Sequence, residues 1–280
     1  MRALPLLVAL ASAVLLAPAL LRSLELTGHT RRNYRGRALP CPSGVLVPAA
    51  AALALIPLVL IERLACTRVL EPRLAPVALY ALGVLALGLI DDLLGGARAG
   101  ELAPRGWRGH FMALRRGELS TGAIKAGGSL GLALATMGYL NPSDGRWLLA
   151  TAVLVLATNA LNLLDLRPGR SAKAFVALAA GLTIGSRELR TLWTLGLLAG
   201  PALVAGAYDL RERALLGDTG SNLLGALAGL WIVLALSATG QLIALALLLA
   251  LSVYGELRSI SELVERIPLL RQLDSLGRPS

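Results

Sequence analysis

The chain reads as an all-α, polytopic integral membrane protein with about nine transmembrane helices, its N-terminus outside and its C-terminal tail in the cytoplasm. Three observations predict this. Hydrophobic residues fill 56% of the 280 positions against 16% charged, with a mean hydropathy of +0.69, which is more apolar surface than a soluble domain of this length can bury. Uncharged stretches long enough to cross roughly 30 Å of hydrocarbon recur along the whole chain. Lys and Arg also divide unevenly between alternate loops. The same figures exclude collagen-like, disordered and disulfide-scaffold chains. The net charge of +10 is therefore read against anionic lipid before nucleic acid.

The first span, 3–21, resembles a secretory signal, with Ala17-Pro18-Ala19 near its end. Arg22, Arg31, Arg32, Arg35 and Arg37 follow it whereas only Arg2 precedes it, so the helix is expected to stay anchored with its start outside. The second span, 44–61, separates Cys41 from Cys66; the two then face opposite compartments and no disulfide is expected. The third span, 74–90, runs into an acidic pair, and the fourth, 121–140, carries Lys125 one turn inside its start. Spans five to nine are placed at 147–164, 172–185, 191–208, 222–238 and 240–255, the sixth being short. Residues 1–255 form one transmembrane domain. The remainder, 256–280, alternates Leu, Ile and Val with Glu and Arg at helical spacing and reads as an amphipathic tail on the inner face, with Asp274 as a solvated charge. This topology puts 20 of the 27 basic residues inside, including Gly109's loop, and leaves the loop of Asp144 outside.

Acidic residues obey no strong sidedness rule, yet 13 of the 17 fall inside as well. Asp91 and Asp92, in L-I-D-D-L-L-G-G, sit at the end of the third span, where the helix dipole already presents negative charge. A divalent cation or a protonated partner would relieve them; otherwise this is a solvated helix end capped by Gly95 and Gly96. Asn159, Asn162 and Asp165, in T-N-A-L-N-L-L-D, form a polar strip closing the fifth span, for hydrogen bonds between helices or for a polar ligand. Gly217 to Asn222, G-D-T-G-S-N, opens the eighth span. Asp218 or Thr219 could cap that helix, or the glycine-rich turn could bring a carboxylate close to phosphate or its metal. Gly225 and Gly229 read as helix packing.

Lysine is nearly absent, so Lys125 and Lys173 stand out among 25 arginines; Lys125 either snorkels or meets a phosphate. His29 and His110 read as isolated surface residues. There is no P-loop, no Ser-His-Asp spacing and no Cys/His metal motif.

Taken in order on one side, the D-D pair, the lysine, N-x-x-N-x-x-D and G-D-T-G-S resemble the polyprenyl-phosphate N-acetylhexosamine-1-phosphate transferases. That superfamily includes phospho-N-acetylmuramoyl-pentapeptide transferase and the WecA-type enzymes, glycosyltransferase family four. The resemblance covers roughly residues 36–255; Gly36 to Gly44, G-R-A-L-P-C-P-S-G, matches the first cytoplasmic loop loosely. It implies Mg²⁺-dependent transfer of a sugar 1-phosphate from a nucleotide diphosphate sugar to polyprenyl (undecaprenyl) phosphate. The setting implied is the cytoplasmic face of the plasma membrane, in cell-envelope glycan synthesis such as peptidoglycan. By the same resemblance Asp91 and Asp92 are catalytic, activating or orienting the lipid phosphate. Asp218 binds Mg²⁺ with Asp165, and Lys125, Asn159, Asn162 and Asp165 bind substrate.

The chain departs from the family pattern in three places. Gly95 stands where a lysine is usual, Pro168 replaces the second Asp of D-G-L-D-G, and no histidine follows position 110, so the histidine-rich loop is missing. Arg167 and Arg170, flanking Pro168, could supply bidentate donors to diphosphate oxygens in place of the lost contacts. Expected partners are the membrane, the polyprenyl phosphate, the nucleotide sugar and a second copy in a homodimer, with no nucleic acid. Two other classes stay open: a catalytically impaired member that binds lipid phosphate or a partner, and a lipid transporter. A transporter would hold its polar groups near the bilayer midplane, within repeated halves, whereas these acids gather at helix ends and no repeat is visible.

Overall fold

The structure, a computed structural model, describes residues 1–95, 115, 120–140 and 145–279. Its long helices are α1 (Leu4–Leu26), α2 (Leu46–Leu64), α3 (Leu74–Leu94), α4 (Thr121–Leu140), α5 (Arg146–Leu164), α6 (Arg170–Ser186), α7 (Arg190–Leu210), α8 (Gly217–Ala235) and α9 (Ala238–Leu257). Every expected span is thus helical. Seven of these helices are long and apolar enough to cross a membrane: α1, α2 with its preceding 3₁₀ turn, α3, α5, α7, α8 and α9. Of the other two, α4 is rich in glycine and carries Lys125, and α6 has only 17 residues. The expected positions of Gly109, His110 and Asp144 lie outside the described residues.

Helix α8 is the axis of the bundle. It packs against α3, α5, α6 and α7, while α4 lies on α3 and α5, α9 on α5, and α1 on α2 and α7. Small residues permit the central position. A Cβ on Gly225 would lie 2.5 Å from the Thr158 Cα, and one on Gly229 3.1 Å from the Leu154 Cα, so α5 and α8 touch backbone to backbone, as the small-xxx-small pair suggests. Gly88 does the same for α3, where a Cβ would meet the Asp218 carbonyl oxygen at 2.4 Å. Between α3 and α5 the buried Tyr80 hydroxyl pairs with Thr158 Oγ1 at 3.1 Å, satisfying a polar atom where no water reaches.

Three local features differ from the sequence-based expectation. Helix α8 starts at Gly217 rather than 222, so G-D-T-G-S is its first turn and not a loop leading into it. The segment after α1 forms a two-stranded antiparallel hairpin, β1 (Thr30–Arg32) with β2 (Ala38–Pro40), whose pattern is too short and too polar to register as strand periodicity. The tail folds into α10 (Ile260–Arg266) and α11 (Pro268–Ser275), which dock back on the bundle. There Asp274 is not a solvated charge: its side chain is only 12% exposed, and the forks of Arg170 and Arg278 grip both of its oxygens.

Candidate functional site

Four connections meet at one end of the bundle. The loop after the hairpin pairs with the strand-like approach to α8, through Ser43 N–H to the Leu215 carbonyl at 2.8 Å and Leu215 N–H to the Pro40 carbonyl at 2.9 Å. Buried Asp209, at the end of α7, accepts from Gly169 N–H at 2.6 Å and Leu216 N–H at 3.2 Å, tying the start of α6 to the approach to α8. Glu212, 1% exposed, accepts from Asn33 and Tyr34 and so pins the hairpin beneath the same loop. These two acids and Arg31 belong to no sequence motif, and only their place on the expected inner side gives a signal of a role.

The first turn of α8 is capped from a different helix. Asp92 Oδ1 accepts from Asp218 N–H at 3.1 Å, and Oδ2 accepts from Thr219 N–H at 2.8 Å and Thr219 Oγ1–H at 2.7 Å. The free N–H groups and the positive end of the helix dipole therefore find a carboxylate on α3, while no side chain of the local sequence performs the cap. Gly217, at φ +70°, makes room: a Cβ there would sit 2.5 Å from Asp92 Oδ2. The Asp92 side chain is 2% exposed, with Arg31 3.3 Å away on its open side. Its neighbour Asp91 meets the side chain of Asp218 rather than its backbone. Lys125 Nζ lies between Asp91 Oδ2 at 3.0 Å and Asp218 Oδ2 at 2.5 Å, so α3, α4 and α8 each contribute one charge to a single partly open cluster.

The polar strip of α5 divides its partners. Asn162 Oδ1 accepts from Ser221 Oγ at 2.9 Å, joining the strip to the first turn of α8. Asn159, one turn deeper, donates to Ser252 on α9 at 3.1 Å, which is an interhelical hydrogen bond. Asp165 ends the helix and accepts no hydrogen bond from a described residue. Burial, reinforced by the nearby Asp209, Asp218 and Asp92 charges, pushes its carboxyl well above the ordinary carboxylate range. Arg167 and Arg170 meet acids of the tail rather than open space. Arg167 reaches Glu265 at 2.6 Å and stacks over Tyr34, and the Arg170 fork is spent on Asp274.

Asp91, Lys125, Asp218, Asp92 and the Asn162–Ser221 pair are thus brought together, with Asp165 beside them and Asn159, Arg167 and Arg170 engaged elsewhere. Among the described residues no three Asp, Glu, His or Cys side chains converge to hold a metal ion. The donors available are hard oxygens, however, and Mg²⁺ commonly uses one or two carboxylates with the rest of its shell from water and substrate phosphates. The Lys125 ammonium already occupies a cation position between Asp218 and Asp91. That pair of carboxylates therefore fits a divalent cation in company with phosphate. No family model and no curated protein matches the chain.

Proposed function

We propose that the chain is a sugar-1-phosphate transferase acting on polyprenyl phosphate at the cytoplasmic face of the plasma membrane, with nine spans and the N-terminus outside. The observation that carries this reading is the Lys125 bridge, in which a compact cation is held by carboxylates from two other helices at a helix-end cluster open to the surface. In the reaction an oxygen of the lipid phosphate attacks the sugar-bearing phosphorus of the donor. The bond to the nucleoside monophosphate breaks, and that product leaves with the electron pair. Several anionic oxygens must approach one another, so the work is positioning and charge neutralisation.

Lys125 meets a phosphate as a point charge when a ligand draws it from Asp91 and Asp218. Asp91 faces the lipid phosphate, while Asp92 acts behind the site by fixing the backbone of Asp218 and Thr219. Asn162 and Ser221 offer neutral polar groups to the donor. Mg²⁺ held by Asp218 with Asp91 or Asp165 would supply the further neutralisation such chemistry needs. Purified protein given undecaprenyl phosphate, Mg²⁺ and a panel of nucleotide sugars should release a nucleoside monophosphate with at least one donor, and release from none would reject the reading.

A second reading, a member that binds lipid phosphate or a partner without turnover, is favoured by one observation. The two arginines that could replace lost donor contacts are both held by the tail. Under that reading lipid phosphate binds but no donor is consumed.

A further inference from the structure

At the end of the bundle away from the acidic cluster, the loop between α2 and α3 folds back on the last turn of α2. Glu62 Oε2 accepts from the backbone N–H groups of Val69 and Leu70, at 3.0 and 2.9 Å, and this closure leaves an open cavity of about 460 Å³. Arg63, Cys66, Thr67 and Arg68 line it, with Val59 at the helix side. The two arginines are exposed, and their side chains make no hydrogen bond or ion pair with a described residue. The one acid in the lining, Glu62, has turned its carboxylate onto the backbone. The charges of Arg63 and Arg68 favour ionised Glu62 from a distance, but their guanidinium N–H groups are taken by no described acceptor, and with the Thr67 hydroxyl they suit a phosphate group, which guanidinium can hold through paired N–H donors.

The position of the cavity selects the source of that phosphate. On the helix side of the cavity α2 leaves Val59 and, one turn deeper, Ile56 exposed at 43% and 59%, an apolar surface that only hydrocarbon covers in a membrane-spanning helix. A headgroup in the cavity would lie where the polar and apolar surfaces meet, with its chains running down the apolar one. We propose that the cavity is a headgroup site for an anionic phospholipid, its phosphate held by Arg63 and Arg68 and its acyl chains packed on Val59 and Ile56. The site stands apart from the acidic cluster and does not depend on the transferase reading.

Cys66 supplies a probe inside the site. It is exposed, whereas Cys41 is buried, and burial pushes the Cys41 thiol up to about 12, so a maleimide reads Cys66. The labelling rate of the purified full chain in neutral detergent is measured against short-chain phosphatidylglycerol, short-chain phosphatidylcholine and inorganic phosphate. Phosphatidylglycerol should protect Cys66 at roughly tenfold lower concentration than phosphatidylcholine, the scale expected for basic side chains meeting anionic lipid. R63Q/R68Q should remove that preference, and R63K/R68K should keep part of it. Equal protection by the two lipids, protection by inorganic phosphate as good as by phosphatidylglycerol, or an unchanged preference in R63Q/R68Q would each overturn the proposal.

Discussion

Replacing Asp92 by alanine tests whether the start of α8 is held from α3. The variant removes the acceptor for Asp218 N–H, Thr219 N–H and the Thr219 hydroxyl, at a place where Thr219 is fully buried. A buried donor left without a partner costs about 1–3 kcal/mol. The ion pair with half-exposed Arg31 adds little, because solvent screens it. Loss of the carboxylate opposite the helix N-terminus adds up to about 1 kcal/mol. Allowing for partial rescue by water, Asp92→Ala should destabilise the protein by about 3–5 kcal/mol. Asp92→Asn keeps the shape and one good acceptor and should cost about 1–2 kcal/mol. Asp91→Ala is the control: its carboxylate is partly exposed and its Lys125 partner keeps Asp218, so about 1 kcal/mol or less is expected. Equilibrium unfolding in mixed micelles, followed by the tryptophan signal, measures all three. If Asp92→Ala were no more harmful than Asp91→Ala, the cap would not hold α8 and the positioning role would be wrong.

Asp218→Asn should abolish the Mg²⁺-dependent rise in thermal stability, or Mg²⁺-dependent ligand binding, while leaving unfolding in micelles within about 1 kcal/mol of wild type, since the amide can still meet Lys125. Gly225→Ala should destabilise by about 1–3 kcal/mol, because the new methyl meets the α5 backbone rather than a movable side chain; mixed-micelle unfolding reads this too. Asp274→Asn should free the tail, seen as faster hydrogen exchange over residues 260–279 with the bundle unchanged. Acid should do the same: burial raises the Asp274 carboxyl, but the Arg170 and Arg278 forks pull it further down, from 3.8 to about 2. Its contribution to docking is therefore complete above about 4 and lost as the pH falls through about 2, and exchange measured along that series should show the release.

The nine helical stretches were legible because uncharged length is a strong signal and charge sidedness checks the register of all of them together. Helix starts were less so. The expected start of the eighth span fell five residues late because Gly217, Asp218 and Gly220 look like turn residues, and only Asp92, far away in sequence, makes them a stable first turn. The convergence of Asp91, Lys125 and Asp218 could be guessed from their common side. The division of labour between Asp91, on the Asp218 side chain, and Asp92, on the backbone of Asp218 and Thr219, could not, since it depends on how α3 is rotated against α8. Asp274 misled most, because amphipathic spacing near the C-terminus gives no sign of a docking partner. The Arg170–Asp274 pairing joins residues more than 100 positions apart.

If the cluster of Asp91, Lys125 and Asp218 serves phosphoryl transfer onto a lipid phosphate, the lipid product must carry the sugar phosphate. Purified wild-type protein is incubated with undecaprenyl phosphate, Mg²⁺ and each nucleotide sugar of a panel, and the lipid fraction is weighed by mass spectrometry. A lipid heavier by one sugar phosphate, formed by the wild type and not by Asp218→Asn or in excess chelator, is the result predicted here. Unchanged undecaprenyl phosphate with every donor, from protein that binds the lipid and stays folded, would contradict it.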